Sequence, residues 1–182
     1  MCSRIAFVLL SLWLVSRDTS AQQDSFKRAR GESLDQFAVR IIPAGKKLVH
    51  PVTKGDFGLA KNALLVLFAD DEFRPFTGWV LIPEGAGYRR VVLPQPGSMW
   101  SYTEVKAVFF ANADRDSARE LLILCEHMTG IGPTGARPFH YTWVYDWNQR
   151  AFVYLEKLSA EIGTLATAPK VRRRLRTLGY RP

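Results

Sequence analysis

Residues 105–125 read VKAVFFANADRDSARELLILC, and residues 139–155 read FHYTWVYDWNQRAFVYL. These two stretches decide the fold. In the first, Val105–Ala111 and Leu121–Cys125 are apolar runs of strand length on either side of the polar loop Asn112–Glu120. Short apolar runs bounded by turn residues suit buried strands. In the second, Phe139, Tyr141, Trp143, Tyr145 and Trp147 alternate with His140, Thr142, Val144, Asp146 and Asn148. Side chains on a strand point to alternate faces, so the aromatics share one face and the rest share the other. Asn148-Gln149-Arg150 turns the chain, and Ala151–Leu155 returns beside it.

The pattern extends toward the N-terminus. Thr77–Ile82 (TGWVLI) and Tyr88–Leu93 (YRRVVL) flank Pro83-Glu84-Gly85-Ala86-Gly87, which reads as a hairpin. Ala63–Ala69 (ALLVLFA) reads as a buried strand. Phe37–Ile42 is a further apolar run, read as strand-like and ended by Pro43-Ala44-Gly45. Toward the C-terminus the period changes. Leu155, Leu158, Ile162 and Leu165 recur at helical spacing. Pro169 suits the first turn of a second helix, with Val171, Leu175 and Leu178 as its apolar stripe and Gly179 as its stop. No repeat of solenoid or propeller length occurs. The expectation is one α+β domain over residues 35–182: a predominantly antiparallel sheet followed by one or two C-terminal helices. Residues 22–34 (QQDSFKRARGESL) read as a flexible lead-in.

Residues 1–21 read as a secretory signal peptide. Arg4 makes the basic start, Ile5–Val15 the apolar run, and Thr19-Ser20-Ala21 the small residues before a cut. The run is shorter than the ~20 apolar residues of a comfortable membrane span. The expected product is secreted or periplasmic and not transmembrane. Removal of Cys2 with the signal leaves Cys125 as the remaining thiol, so no internal disulfide is expected. Cys125 sits in an apolar run and reads as a buried small hydrophobe.

The formal net charge is +8. Much of it lies in residues 170–182, where Lys170, Arg172, Arg173, Arg174, Arg176 and Arg181 occur with no acid. The body is nearly neutral, which argues against a nucleic-acid-binding core. The arginine tail is a candidate for docking on an anionic surface. It reads equally as a docked helix with a solvated basic face.

Within the loop, Asn112, Asp114, Asp116 and Glu120 fall at relative positions one, three, five and nine. Alternate oxygen side chains on a tightly curled loop can face one hard cation, with carbonyls and water completing the shell. This spacing resembles the calcium loops of FG-GAP and integrin-type repeats, which lie between strands. The resemblance implies calcium held by Asn112, Asp114, Asp116 and Glu120, with Leu121 opening the next strand. FFANADRDSARELLIL followed by WVYDWNQRAF is also similar to uncharacterised bacterial exported proteins that carry one degenerate loop of this kind. The loop departs from the pattern in Asn112 at the first ligand position, in Ser117 where glycine makes the sharp turn, and in Arg115 and Arg119. The same residues also read as a strand-connecting turn, with Asp and Asn bonding their own backbone and Glu120 pairing with Arg119 or another cation.

Other signals divide the same way. Tyr141, Trp143 and Tyr145 form a face that could stack on a sugar ring, or pack in the core against the C-terminal helices. Gly130–Gly135 matches GxGxxG in letters, but a strand pattern follows where a dinucleotide site needs a helix. His50, His127 and His140 lack zinc spacing. The expectation is a non-enzymatic, exported binding domain for an envelope protein, carbohydrate or anionic surface. The alternatives are a small envelope hydrolase using His127, His140, Glu126 or Asp146, and an adhesion module acting through Arg172, Arg173, Arg174 and Arg176.

Overall fold

The computed structural model describes residues 25–57, 60–69, 76–96, 102–113, 116, 118–129 and 137–182. The signal-peptide expectation at 1–21, the loop residue Asp114 and the 130–135 glycine motif lie outside them. The chain is mostly antiparallel β-sheet with short helices, the last two at the C-terminus, so the α+β expectation holds.

The first sheet contains β1 (Ser25–Phe26), β2 (Thr53–Phe57), β3 (Ala60–Phe68), β4 (Thr77–Glu84) and β5 (Gly87–Val92), in the order β1-β5-β4-β3-β2. The second contains β6 (Tyr102–Ala111), β7 (Glu120–Thr129), β8 (Arg137–Trp147) and β9 (Phe152–Tyr154), in that order. The helices are α1 (Leu34–Ile41), α2 (Glu156–Ile162) and α3 (Ala168–Thr177).

Alternation along the strands sorts the side chains into layers. Leu65, Leu67, Val80 and Ile82 of the first sheet meet Leu121, Ile123, Cys125, Trp143 and Tyr145 of the second in the central core. On the other face of the first sheet, Leu64, Val66, Phe68 and Leu81 pack under Phe37 and Ala38 of α1. On the other face of the second, Leu122 and Val144 pack under Leu158 and Ile162 of α2 and Val171 and Leu175 of α3. The order is helix, sheet, sheet, helices. Strands covered on both faces lose the polar alternation of half-exposed ones. That explains the continuous apolar runs at 63–69 and 121–125.

Two expectations need correction. Phe37–Ile42 is not a strand. Leu34–Ile41 is helical, and it starts at a capping box in which Ser33 Oγ accepts from Gln36 N (3.1 Å) and Gln36 Oε1 accepts from Ser33 N (2.9 Å). Leu34, Phe37, Ala38 and Ile41 then share a face at helical spacing. The lead-in also carries structure: Ser25 and Phe26 pair with Arg89 and Tyr88 of β5. The hairpin is as expected but tighter, with Gly85 at φ +56° in the turn between β4 and β5.

Candidate binding cleft

A cleft of about 650 Å³ opens between the first sheet's edge and the loop that joins β6 to β7. It is lined by Lys54, Gly55 and Asp56 of β2, Lys61 of β3, Phe110 of β6, and Ala118 and Arg119 of the loop. The register of β2 on β3 slips between Gly55 and Phe57. Such an irregularity re-aims side chains at a strand's edge. The corner is then fixed from within: Asp56 Oδ1 accepts from Asn62 N (2.8 Å), and Lys61 Nζ lies 3.6 Å from Asp56 Oδ2. The Asn62 bond, and then the charges of Lys61 and Lys54, hold the Asp56 carboxyl below its ordinary range.

The floor is aromatic. The Phe110 ring lies directly over Gly55, where any Cβ would overlap it. Its ring meets Phe57 edge-on at 5.3 Å. Glycine at 55 therefore allows a ring of the second sheet to approach the backbone of the first.

The loop forms the other wall, and its described part is knit by its own hydrogen bonds. Asn112 Nδ2 donates to the Asp116 carbonyl, and Ala113 N donates to Glu120 Oε2. Asp116 Oδ1 accepts from Ala118 N (2.7 Å). Glu120 is buried at 1% exposure, while Asp116 is exposed. Both carboxylates thus hold loop backbone: Asp116 bonds a nearby N–H in the manner of a turn, and Glu120 takes Ala113 N where the turn reading expects a cation. Among the described residues no three His, Cys, Asp or Glu side chains gather as a metal-binding group.

The aromatic face of β8 lies inside the sandwich. Trp143 and Tyr145 are 0% and 1% exposed in the central core, and Tyr141 is half-buried against it. They pack on the first sheet and not on the C-terminal helices, because the helices cover the opposite face, the one carrying Val144.

His127 follows the same inward face. It is fully buried, with Nδ1 2.8 Å from Thr103 Oγ1 and its ring 5.7 Å from that of Trp143. Burial, and secondarily the charge of His140, lowers its pKa to about 4. The next residue back along β7 points the other way: Glu126 Oε2 lies 3.2 Å from His140 Nε2, and Lys106 Nζ lies 3.7 Å from Glu126 Oε1. Glu126 and His140 are therefore brought together. Asp146 lies six residues further along β8, roughly 20 Å away at strand rise. Cys125 is buried, and burial pushes its thiol upward, away from the reactive range.

The tail is a docked helix. Val171 and Leu175 are 0% exposed. Arg172 Nη2 donates to Phe110 O (2.9 Å) with its guanidinium over the Phe109 ring, and Arg174 Nε donates to Glu161 O (3.1 Å). Arg173 and Arg176 face solvent. Half of the arginine cluster thus fastens α3 to its neighbours. Among the described residues no helix is long and apolar enough to cross a membrane.

Sequence patterns did not find Lys54, Gly55, Lys61 or Phe110, and noted Arg119 only as a charge beside the loop. The cleft's two walls are distant in sequence and meet only when the sheets stack. No protein-family model, curated protein or solved structure matches this chain. The class rests on fold and cleft: a helix-flanked pair of antiparallel sheets with a basic cleft at its edge.

Proposed function

We propose that this chain is a non-enzymatic, exported binding domain that engages its ligand in the cleft between β2 and the β6–β7 loop. The observation that carries the reading is the lining. Lys54, Lys61 and Arg119 supply fixed charge and Phe110 an apolar floor, a combination that holds and orients a ligand. The signal-like pattern at 1–21 supports export to the periplasm or beyond. An envelope carbohydrate is the partner class that this lining suits best.

The loop is the structural support of the cleft, because Ala118 and Arg119 belong to both. Calcium held through Asn112, Asp114, Asp116 and Glu120 would stiffen that wall, as the ligand spacing supports. Calcium titration of the chelator-treated protein, followed by calorimetry and melting temperature with magnesium as control, tests the support. Saturable calcium binding with a raised melting point is expected, and Asp114→Asn with Asp116→Asn should abolish it. No binding at millimolar calcium would leave the loop a hydrogen-bonded turn. Incubation with envelope polysaccharide tests the domain itself: retention of intact glycan is expected, and release of cleaved sugars would overturn the reading.

A further inference from the structure

We infer that the cleft is an oxyanion site, taking a phosphate, sulfate or carboxylate group carried on a sugar-sized ligand. The inference rests on the binding-domain reading and names its ligand chemistry. Among the described residues, three cations and one carboxylate line the cleft. That carboxylate, Asp56, is already engaged by Asn62 N and Lys61. Among the described residues neither Lys54 nor Arg119 lies within ion-pair distance of a carboxylate, and Lys54 acts on Asp56 only at longer range than Lys61 does. The cations also come from separate segments, β2, β3 and the loop before β7. Lys54 is held in the β2–β3 pairing opposite Leu64, Lys61 follows Ala60 on the paired strand, and Arg119 lies between Ala118, bonded to Asp116, and Glu120, bonded to Ala113. Cations held apart in this way by backbone structure lose less freedom on binding an anion than cations on a free chain.

The size and the floor extend the argument from an ion to a small molecule. A volume of about 650 Å³ exceeds what one inorganic anion fills and falls in the usual range for small-ligand sites. Phe110, packed on bare Gly55, adds apolar ring surface to the lining beside the charges. A sugar ring presents a matching apolar face, and an attached oxyanion would reach the cations. Arg119 can take such a group through two parallel N–H bonds, with Lys54 adding point charge.

The test is calorimetric titration of the full chain at low salt with five probes: inorganic phosphate, inorganic sulfate, glucose 6-phosphate, glucuronate and neutral glucose. Saturable binding of glucose 6-phosphate or glucuronate is expected, weakening as salt rises. Lys54→Gln combined with Arg119→Gln should weaken it by about tenfold or more per cation removed. Both side chains are exposed, so the melting temperature should hold; Lys54→Arg alone should keep most of the binding, whereas Arg119→Lys should keep the charge and lose the affinity of the second N–H bond. Arg173→Gln with Arg176→Gln should leave it unchanged, which separates cleft from tail. Tighter binding of the phosphosugar than of phosphate assigns a sugar-borne anion. Equal affinity assigns a free anion and overturns the sugar part. Absence of saturable anion binding, or affinity unchanged in the folded double glutamine variant, overturns the oxyanion site. Neutral glucose binding that survives that variant would do so while leaving the binding domain standing. Conversion of any probe would instead overturn the binding-only reading.

Discussion

Burial decides what His127 does. Its ring lies between the sheets beside Trp143 and Phe139. The neutral form is favoured there, which lowers the pKa from 6.5 to about 4. Between those values the unfolded chain binds a proton that the folded chain does not. Stability is therefore full above the unfolded value and falls as pH drops toward 4, by on the order of 3 kcal/mol from this residue. Urea denaturation across that window should show the decline, and His127→Gln should flatten it. An unchanged slope in the variant would assign the effect to other groups. Residue environments were legible in the sequence where neighbours along the chain create them, as with Cys125 in its apolar run. They were not legible where the other sheet creates them. Lys54 and Arg119 look like ordinary surface cations until β2 and the β6–β7 loop stand side by side.

Among the elements, α1 tests how local signals compete. Its apolar residues read as a strand when the window opens at Phe37. Opened at Ser33, the same stretch shows a capping box and apolar residues at helical spacing. Pro43 beyond Ile42 ends the element in either reading. Ser33→Ala removes the acceptor for Gln36 N and should cost about 1 kcal/mol in chemical denaturation. A neutral result would mean that Phe37 and Ala38 packing alone holds the helix. The β4–β5 hairpin and the core of β7 were legible, because turn glycine and apolar length act locally. β1 and β2 were not. Ser25–Phe26 is very short, and Thr53–Phe57 (TKGDF) carries Lys54 and Asp56 at a sheet edge, where polar residues are tolerated. The β2 edge that escaped the sequence pattern is the one that lines the cleft.

The molecule as a whole is stacked in layers, and the central layer joins the two sheets. Trp143 lies in it, against Phe76 at 4.8 Å between ring centres. Trp143→Ala should therefore cost about 3–5 kcal/mol, lowering the melting temperature in one cooperative step. Separate melting of two halves would show that the sheets fold independently. The layering also imposes an order in time. The apolar face that carries Leu122 and Val144 is covered by α2 and α3, which are made after every strand of that sheet. As the chain grows, β6, β7 and β8 exist before their outer cover does. Unfinished chains thus carry a sticky face that finished chains hide. A ribosome that stops before Val171 leaves a product prone to clumping, and the arginine-rich helix doubles as the closing seal of the newborn protein.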